Sequence, residues 1–145
     1  MAIKAFDEVL VELLLSIQPN RIKERVYHLE QYQMDDTLHA AYPNIVYELI
    51  EDRPDLELSG DSQFRWADYM ICITSENSED IRVCATNLKN ANDPDFNATL
   101  TAAYNNIQWV TVTQDVEASI FAVEQQEKGL KTASLTMTLH HWGDV

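Results

Sequence analysis

Histidines are considered first, because imidazole is the commonest metal ligand and acid–base group in proteins. His140 and His141 are adjacent, and adjacent side chains of a strand point to opposite faces of a sheet, so the two rings are not expected to share one ion. His28 and His39 have no second histidine or carboxylate at a spacing typical of a metal site. The histidines therefore predict a structural role, with no metal ion bound.

The densest group of carboxylates lies around one serine-containing turn. Its members are Glu48, Glu51, Asp52, Asp55, Glu57 and Asp61. Their spacing does not match a calcium loop, and residues 59–62 lack the G-x-S-x-G pattern of a nucleophile elbow. We interpret the carboxylates as solvated residues of a hairpin. The sequence thus predicts no catalytic residue, no cofactor and no enzyme activity.

Cys72 and Cys84 are the two cysteines of the chain, and no C-x-x-C spacing is present. One falls in a predicted strand and the other on the apolar face of a predicted helix, which favours buried thiols in a reducing compartment. A disulfide between them is the alternative that the sequence leaves open. Since nothing else marks the chain as secreted, the glycosylation sequon at Asn97 is interpreted as a chance match.

The acidic balance of the chain narrows its range of partners. The chain has 24 acidic and 10 basic residues, a formal net charge of −14 and a pI near 4.4. Such a surface repels a phosphate backbone, so ordinary nucleic-acid binding by counterion release is disfavoured. Three interpretations follow: solubility alone, an acidic wall along a channel in which DNA slides, or an acidic face that mimics DNA.

The length and composition are those of one globular domain. The 145 residues, 46% of them hydrophobic, predict a single domain over residues 1–145. Apolar residues at helical spacing over residues 3–17 predict an amphipathic first helix, which Pro19 ends. Charged residues interrupt that apolar stretch, so neither a signal peptide nor a membrane span is predicted.

Residues 42–88 encode a strand, a loop, a second strand and a helix. Alternating apolar residues predict strands at 44–51 and 64–74, and the longer one is expected to be the central strand. The segment 52–63 between them is richer in charged and turn-forming residues than a tight hairpin requires. We therefore predict that the two strands extend into a projecting arm at residues 52–63.

A helix is predicted after the second strand. Ser75, Asn77 and Ser78 are candidates for its N-cap. Apolar residues at i, i+3, i+4 and i+7 from Ile81 to Leu88 predict one face that packs on the sheet, and the helix is expected to end near residue 90.

The remaining elements are predicted from shorter patterns. We expect strands at 26–29, 107–113, 118–123 and 134–139, a short helix at 96–104, and loops at 30–41 and 92–95. Together, these elements predict an α+β domain, with one mostly antiparallel sheet and helices packed on one face.

Short motifs follow one another in a characteristic order over nearly the whole chain. They are Arg25-Val26-Tyr27, Tyr42-Pro43-Asn44-Ile45-Val46-Tyr47-Glu48, the Leu58-Ser59-Gly60 turn, Ala67-Asp68-Tyr69, and a helix containing Ala85 and Leu88. This order resembles the tail-terminator, or tail-completion, proteins of long-tailed bacteriophages. The insert at 30–41 and the dense acidic loop depart from the usual pattern of that family.

The resemblance implies an α+β subunit that forms a homo-hexameric ring on the head-proximal end of the phage tail tube. Such a ring ends tube polymerisation and forms the joint to the head connector, and genomic DNA passes through its lumen without specific binding. The implied partners are the tail-tube protein and the head-connector (stopper) protein, with no membrane. The implied location is the head–tail junction of the virion, after assembly in the host cytoplasm.

A closed ring requires a heterologous interface, in which one patch meets a different patch on the neighbouring subunit. We expect the arm to supply one such patch, and part of the acidic surface to line the lumen. The candidate subunit-interface residues are Arg53, Asp55, Leu56, Glu57 and Leu58. The tryptophans at positions 66, 109 and 142 are predicted to anchor either the core or an interface.

Two other classes of protein fit the same residues. Another head–tail connector or a tail-tube subunit would share the acidic α+β character, and a tube subunit would polymerise into long tubes. An acidic inhibitor that mimics DNA would instead bind a basic nuclease or repressor as a monomer or dimer.

Overall fold

The computed structural model describes Leu14 and residues 25–40, 42–54, 64–102 and 107–142. The five strands in this part of the chain are β1 Val26–His28, β2 Asn44–Pro54, β3 Phe64–Ser75, β4 Ile107–Gln114 and β5 Lys131–Trp142. The α-helices are α1 Leu29–Met34, α2 Ser78–Lys89, α3 Pro94–Ala102 and α4 Ile120–Glu127, with 3₁₀ turns at Asp36–Ala40 and Asn90–Asn92. Most of the predicted first helix lies outside these residues, but Leu14 is helical and fully buried.

One sheet contains all five strands in the order β1-β2-β3-β5-β4. β1 runs parallel to β2, and the other neighbours pair antiparallel. The structure thus confirms the predicted α+β class, the mostly antiparallel sheet and the central position of β3. The strands predicted at 44–51 and 134–139 are longer than expected, because their pairing with β3 continues to Pro54 and Trp142.

Both faces of the sheet are covered by helices, so the prediction of helices on one face is wrong. Alternate residues of β3 belong to two separate clusters: Ile71 and Ile73 pack with α2, whereas Met70 and Cys72 pack with α1 and α4. We call these the α2 face and the α4 face. The second face was underestimated because only its half nearest α1 is apolar, and the rest of it is polar.

Helix α4 replaces the strand predicted at 118–123. Its N-cap is Ser119, whose Oγ accepts the N–H of Ala122 at 3.1 Å. At its C-terminus Gly129 adopts a φ of 84°, and the N–H of Leu130 donates to the carbonyl of Gln125 at 3.1 Å. This is a Schellman end, which glycine favours because it adopts a positive φ without strain.

Two predicted loops also contain helical structure. Most of the predicted loop at 30–41 is occupied by α1 and by the 3₁₀ turn Asp36–Ala40, and the N-cap of α1 is His28, whose Nδ1 accepts the N–H of Glu30 at 3.1 Å. Within 92–95, Asp93 Oδ1 accepts the N–H groups of Asp95 and Phe96 at 3.0 and 3.2 Å, so α3 begins at Pro94. A proline at the first helical position is favourable because its missing N–H needs no partner there.

The predicted helix after β3 is confirmed. Its N-cap is Asn77, whose Oδ1 accepts the N–H of Glu79 at 2.9 Å, and Cys84, Ala85 and Leu88 are buried on its sheet-facing side. None of the helices in the described ranges is long and apolar enough to cross a membrane.

Candidate interaction site at the base of the arm

Strands β2 and β3 flank the predicted arm, and β5 runs beside β3 to the same end of the sheet. The β2–β3 ladder continues to the pair Pro54–Arg65, and the β3–β5 ladder continues to the pair Phe64–Trp142. Of the interface candidates only Arg53 is placed, since Asp55, Leu56, Glu57 and Leu58 lie outside the described residues, as does the turn at 59–62. The described surface closest to the arm is therefore its base.

A β-bulge decides which side chains at the base share a face. Up to Glu48, residues of β2 with even numbers lie on the α4 face, opposite Met70 and Cys72. The register shifts between Leu49 and Glu51, which inserts one extra residue into β2. Because strand side chains alternate with a period of two, the insertion moves every later residue of β2 to the other face.

On the α4 face, the shift places Glu51 and Arg53 beside Asp68. Arg53 Nη1 forms an ion pair with Asp68 Oδ2 and lies 3.7 Å from Glu51 Oε2. The other carboxylate oxygen of Asp68 accepts the hydroxyl of Thr138 at 2.6 Å. Arg53 of β2 is thereby tied to β3 and β5, while its side chain remains 42% exposed.

On the α2 face, Asp52 pairs with Arg65. The Arg65 Nε lies 3.2 and 3.1 Å from the two carboxylate oxygens, and Arg65 Nη2 lies 3.4 Å from the Asp52 carbonyl. The Asp52 side chain is only 17% exposed. The interpretation of this carboxylate as a solvated hairpin residue is therefore wrong, although it stays valid as a prediction for the carboxylates beyond residue 54.

His141 lies beneath this pair and is fully buried. Its Nε2 is 3.6 Å from Asp52 Oδ1. Burial lowers the pKa of His141, and the carboxylate of Asp52 opposes part of that effect, whereas the charge of Arg65 adds to it. The net direction favours a neutral imidazole, which is consistent with the predicted structural role.

A row of aromatic side chains crosses the α4 face next to these charges. The ladders place Arg53, Trp66, His140 and Trp109 in register across β2, β3, β5 and β4. The rings of Trp66 and His140 are stacked, with centroids 4.2 Å apart and planes at 17°. Trp109 is 42% exposed, and neither tryptophan belongs to the core clusters.

We name this region the open half-sheet: the row of Arg53, Trp66, His140 and Trp109, and the neighbouring row of Glu51, Asp68, Thr138 and Thr111. The apolar cluster formed with α1 and α4 involves the other end of the same face, at Val46, Met70 and Cys72. The open half-sheet combines exposed aromatic area with fixed charges and hydroxyl groups. Such a composition favours contact with another protein.

The free edge of β4 is closed by two asparagines. The Asn92 carboxamide donates to the carbonyl of Val112 and accepts the N–H of Val112 at 2.7 Å. Asn97 Nδ2 donates to the carbonyl of Val110 and to that of Ala91, the latter at 2.8 Å. An unpaired edge is a template for strand addition, and these side chains occupy the groups that a new strand would need.

The remaining candidates for chemistry have structural positions. Cys72 and Cys84 are buried thiols that are not joined by a disulfide. Burial raises the pKa of Cys72 to about 11, with a small opposing effect from Thr74. Asn97 is fully buried and its Nδ2 donates to two carbonyls, so its side chain is not accessible to glycosylation. No group of three metal-ligating side chains is present within the described residues.

Arg65, Asp68 and His140 were not predicted as part of a site. Their grouping depends on strand register and on the bulge, and no local motif encodes either feature. The available signal was the set of charged residues in the otherwise apolar strand β3, namely Arg65 and Asp68.

No protein-family model matches this chain, and no curated protein is similar to it. The class that the structure defines is an acidic α+β domain with a five-stranded, mostly antiparallel sheet.

Proposed function

We propose that this chain is a structural subunit that acts through protein–protein contact, as the terminator of a phage tail. In this proposal it forms a homo-hexameric ring on the head-proximal end of the tail tube, stops tube polymerisation and joins the tail to the head connector. DNA passes through the ring without specific binding.

The observation that carries the proposal is the construction of the arm base. Two ion pairs, Asp52 with Arg65 and Arg53 with Asp68, lie on opposite faces of the same two strands. Exposed ion pairs contribute little to stability, typically about 0–1 kcal/mol each. Their position matters more, because pairing on both faces fixes the direction in which the strands leave the sheet. Strand ends that are already held lose little conformational freedom when they contact a neighbour.

Two of the motifs behind the family resemblance lie side by side in the sheet. Arg25 Nε donates to the carbonyl of Pro43 at 2.8 Å, and Val26 pairs in parallel with Ile45. The arginine-containing strand thus lies directly beside the proline-containing strand. This arrangement supports the proposal, because the motifs are expected to act together in maintaining one fold.

A ring requires two different contact patches on each subunit. The edge of β4 is blocked between Val110 and Val112, so strand addition there is disfavoured. The arm and the open half-sheet remain. We assign the arm as one patch and the half-sheet around Trp109 as the second.

The mass of the purified protein in solution tests the arm. The variant pair Leu56→Ser with Leu58→Ser should reduce hexamer formation, measured by light scattering and sedimentation velocity. Met34→Ser is the matched control, because Met34 is 87% exposed and lies far from the arm in the sequence. Unchanged assembly of the arm variant, with a native circular-dichroism spectrum, would contradict the role of the arm.

Electron microscopy of virions that carry a gold-labelled copy of this protein tests the location. A ring of label at the head–tail junction is expected. Label along the tube would favour a tail-tube subunit, and absence from the virion would refute both. High-affinity binding of the monomer to a basic nuclease would instead favour the DNA-mimic inhibitor.

A further inference from the structure

A cleft of about 420 Å³ opens on the α4 face between β2, α1 and the start of α4. Its apolar lining consists of Leu29, Ile50, Met70, Ile120 and Phe121. The cleft and the two tryptophans Trp66 and Trp109 lie at opposite ends of the α4 face, so the cleft is distinct from the aromatic row. Its volume is within the range of about 300–1,000 Å³ that is usual for binding sites.

Two of the apolar side chains in the cleft are largely exposed to water. Ile50, the extra residue of the β-bulge, is 62% exposed, and Ile120, the first residue of α4, is 82% exposed. The next two residues of α4, Phe121 and Ala122, are buried in the core and hold the helix in place. Val123, one turn from Ile120, is also 43% exposed. Adjacent exposed apolar residues mark an interaction surface more often than isolated ones do.

The charged side chains that line the cleft are all acidic. They are Glu48, Asp115, Glu117 and Glu124, and among the residues that the structure describes no lysine, arginine or histidine lines the cleft. Within the described part of the chain none of the four forms an ion pair. Asp115 is held in position by the hydroxyl of Thr136, at 3.0 and 3.1 Å from its two oxygens.

The combination of lining residues determines the chemistry of the occupant. Nucleic acids and anionic lipid surfaces are repelled by the carboxylates. A wholly apolar partner would bury these carboxylates without counter-charges, which costs several kcal/mol for each ion. A partner with apolar side chains flanked by lysine or arginine satisfies both parts of the cleft, because its cations neutralise the rim and its apolar groups cover the isoleucines.

We propose that this cleft is a docking site for a cationic amphipathic segment of another protein, in the mode of a helix that lays its apolar face in a groove. The apolar floor supplies affinity, and the carboxylates supply selectivity for basic sequences. This site does not depend on ring formation, and its test uses the protein in any oligomeric state.

The test is binding of a fluorescein-labelled 14-residue peptide of leucine and lysine, with leucine at i, i+3, i+4 and i+7, measured by anisotropy with the full chain. A peptide of the same composition in scrambled order is the first control. The designed peptide should bind at least about tenfold more tightly, because only it presents leucines on one face. Equal binding of the two peptides would mean non-specific attraction to an acidic protein and would overturn the proposal.

Two variants test separately how the apolar residues and the carboxylates of the cleft contribute to binding. Ile120→Ser should weaken binding at least about tenfold through lost apolar contact, whereas the control Met34→Ser, at a residue of similar exposure, should leave it within about twofold. The triple change Glu48→Gln, Glu117→Gln and Glu124→Gln should weaken binding and flatten its dependence on salt. The control triple Glu30→Gln, Glu76→Gln and Glu79→Gln alters the net charge equally and should have the smaller effect.

The proposal would be overturned if Ile120→Ser bound the peptide as tightly as wild type does, or if the two triple variants weakened binding equally. Sedimentation velocity tests the alternative that a second copy of this chain occupies the cleft. If the wild-type protein self-associates, Ile120→Ser dissociates it and the peptide does not compete, then the cleft binds a second copy of this chain and the proposal is wrong.

Discussion

The side chain of Asn97 allows the closing of the β4 edge to be tested quantitatively. Asn97 is fully buried, and its Nδ2 donates to the carbonyls of Ala91 and Val110. It therefore connects α3 to the 3₁₀ turn before it and to the outer edge of the sheet. The substitution Asn97→Ala removes both hydrogen bonds and leaves two carbonyl groups without this donor.

The expected loss follows from these two bonds. A buried polar group that loses its partner costs about 1–3 kcal/mol. Two carbonyls, one of them at a partly accessible edge, predict a loss of about 2–4 kcal/mol in the free energy of unfolding. Asn97→Asp should be at least as destabilising, because it replaces the donor with a carboxylate oxygen facing two carbonyl oxygens.

Urea unfolding followed by tryptophan fluorescence measures this loss. With a slope of about 1–3 kcal/mol per molar urea, typical of small domains, the midpoint should fall by roughly 1–2 M. The matched control is Thr99→Ala, an exposed position on the same helix whose hydroxyl bonds only to the carbonyl of Asp95 at 3.0 Å. An Asn97→Ala protein within about 0.5 kcal/mol of wild type would refute the reasoning, since surface changes alone produce that much.

Three further predictions follow from the same structure. Asn92→Ala frees the N–H and carbonyl of Val112 and should cause concentration-dependent self-association in sedimentation experiments, with a small loss of stability; a protein that stays at its wild-type mass would show that the edge is protected by other means. Burial lowers the pKa of His141, so as the pH falls below the usual histidine pKa of about 6.5 the unfolded chain gains a proton that the folded chain resists, and stability decreases. His141→Gln should therefore lose less stability than wild type between about pH 7 and pH 5, and parallel pH profiles from urea unfolding would contradict this. Because burial raises the pKa of Cys72 to about 11, iodoacetamide at about pH 8 should alkylate Cys72 only under unfolding conditions, and rapid labelling of the native protein, detected by mass spectrometry, would argue against a buried thiol.

The strands were predictable because their signal is repeated over many residues. In β5, Leu135, Met137 and Leu139 are fully buried while Thr136 and Thr138 are partly exposed, which is the alternation expected of a strand with two different faces. Packing of the sheet favours the same alternation of apolar and polar residues that the sequence shows, so the local and tertiary preferences agree.

The short helices were missed because their signals are single residues. Helix α4 has an alanine where a capping box would have glutamate, and its alternating apolar residues at 118–123 also fit a strand. The deciding residues were Ser119 at one end and Gly129 at the other, and both must be considered together to define the helix. Helix α1 begins at His28, an unusual N-cap that carries no clear sequence signal.

Sequence reasoning singled out only one residue of the candidate site. The composition of 52–63 predicts an arm, which lies mostly outside the described residues, and Arg53 is the interface candidate that the structure places. The partners of Arg53 were beyond sequence reasoning, because strict alternation along β2 puts Arg53 on the α2 face with Tyr47. The bulge at Ile50 reverses that assignment, and nothing in the residues around it marks where a strand will gain one residue.

The same bulge explains how one edge of the domain serves two purposes. By moving Asp52 to the α2 face, it brings that carboxylate to Arg65 and His141, and by moving Arg53 to the α4 face it creates the pair with Asp68. The extra residue itself, Ile50, is left exposed at the acidic cleft. Deleting Ile50 would leave a regular ladder, with Leu49 opposite Tyr69 and Glu51 opposite Asp68, so it would remove the cleft isoleucine and keep both ion pairs in register. The deletion therefore tests the cleft separately from the ion pairs: it should weaken binding of the cationic peptide, whereas Arg53 and Asp52 keep their partners.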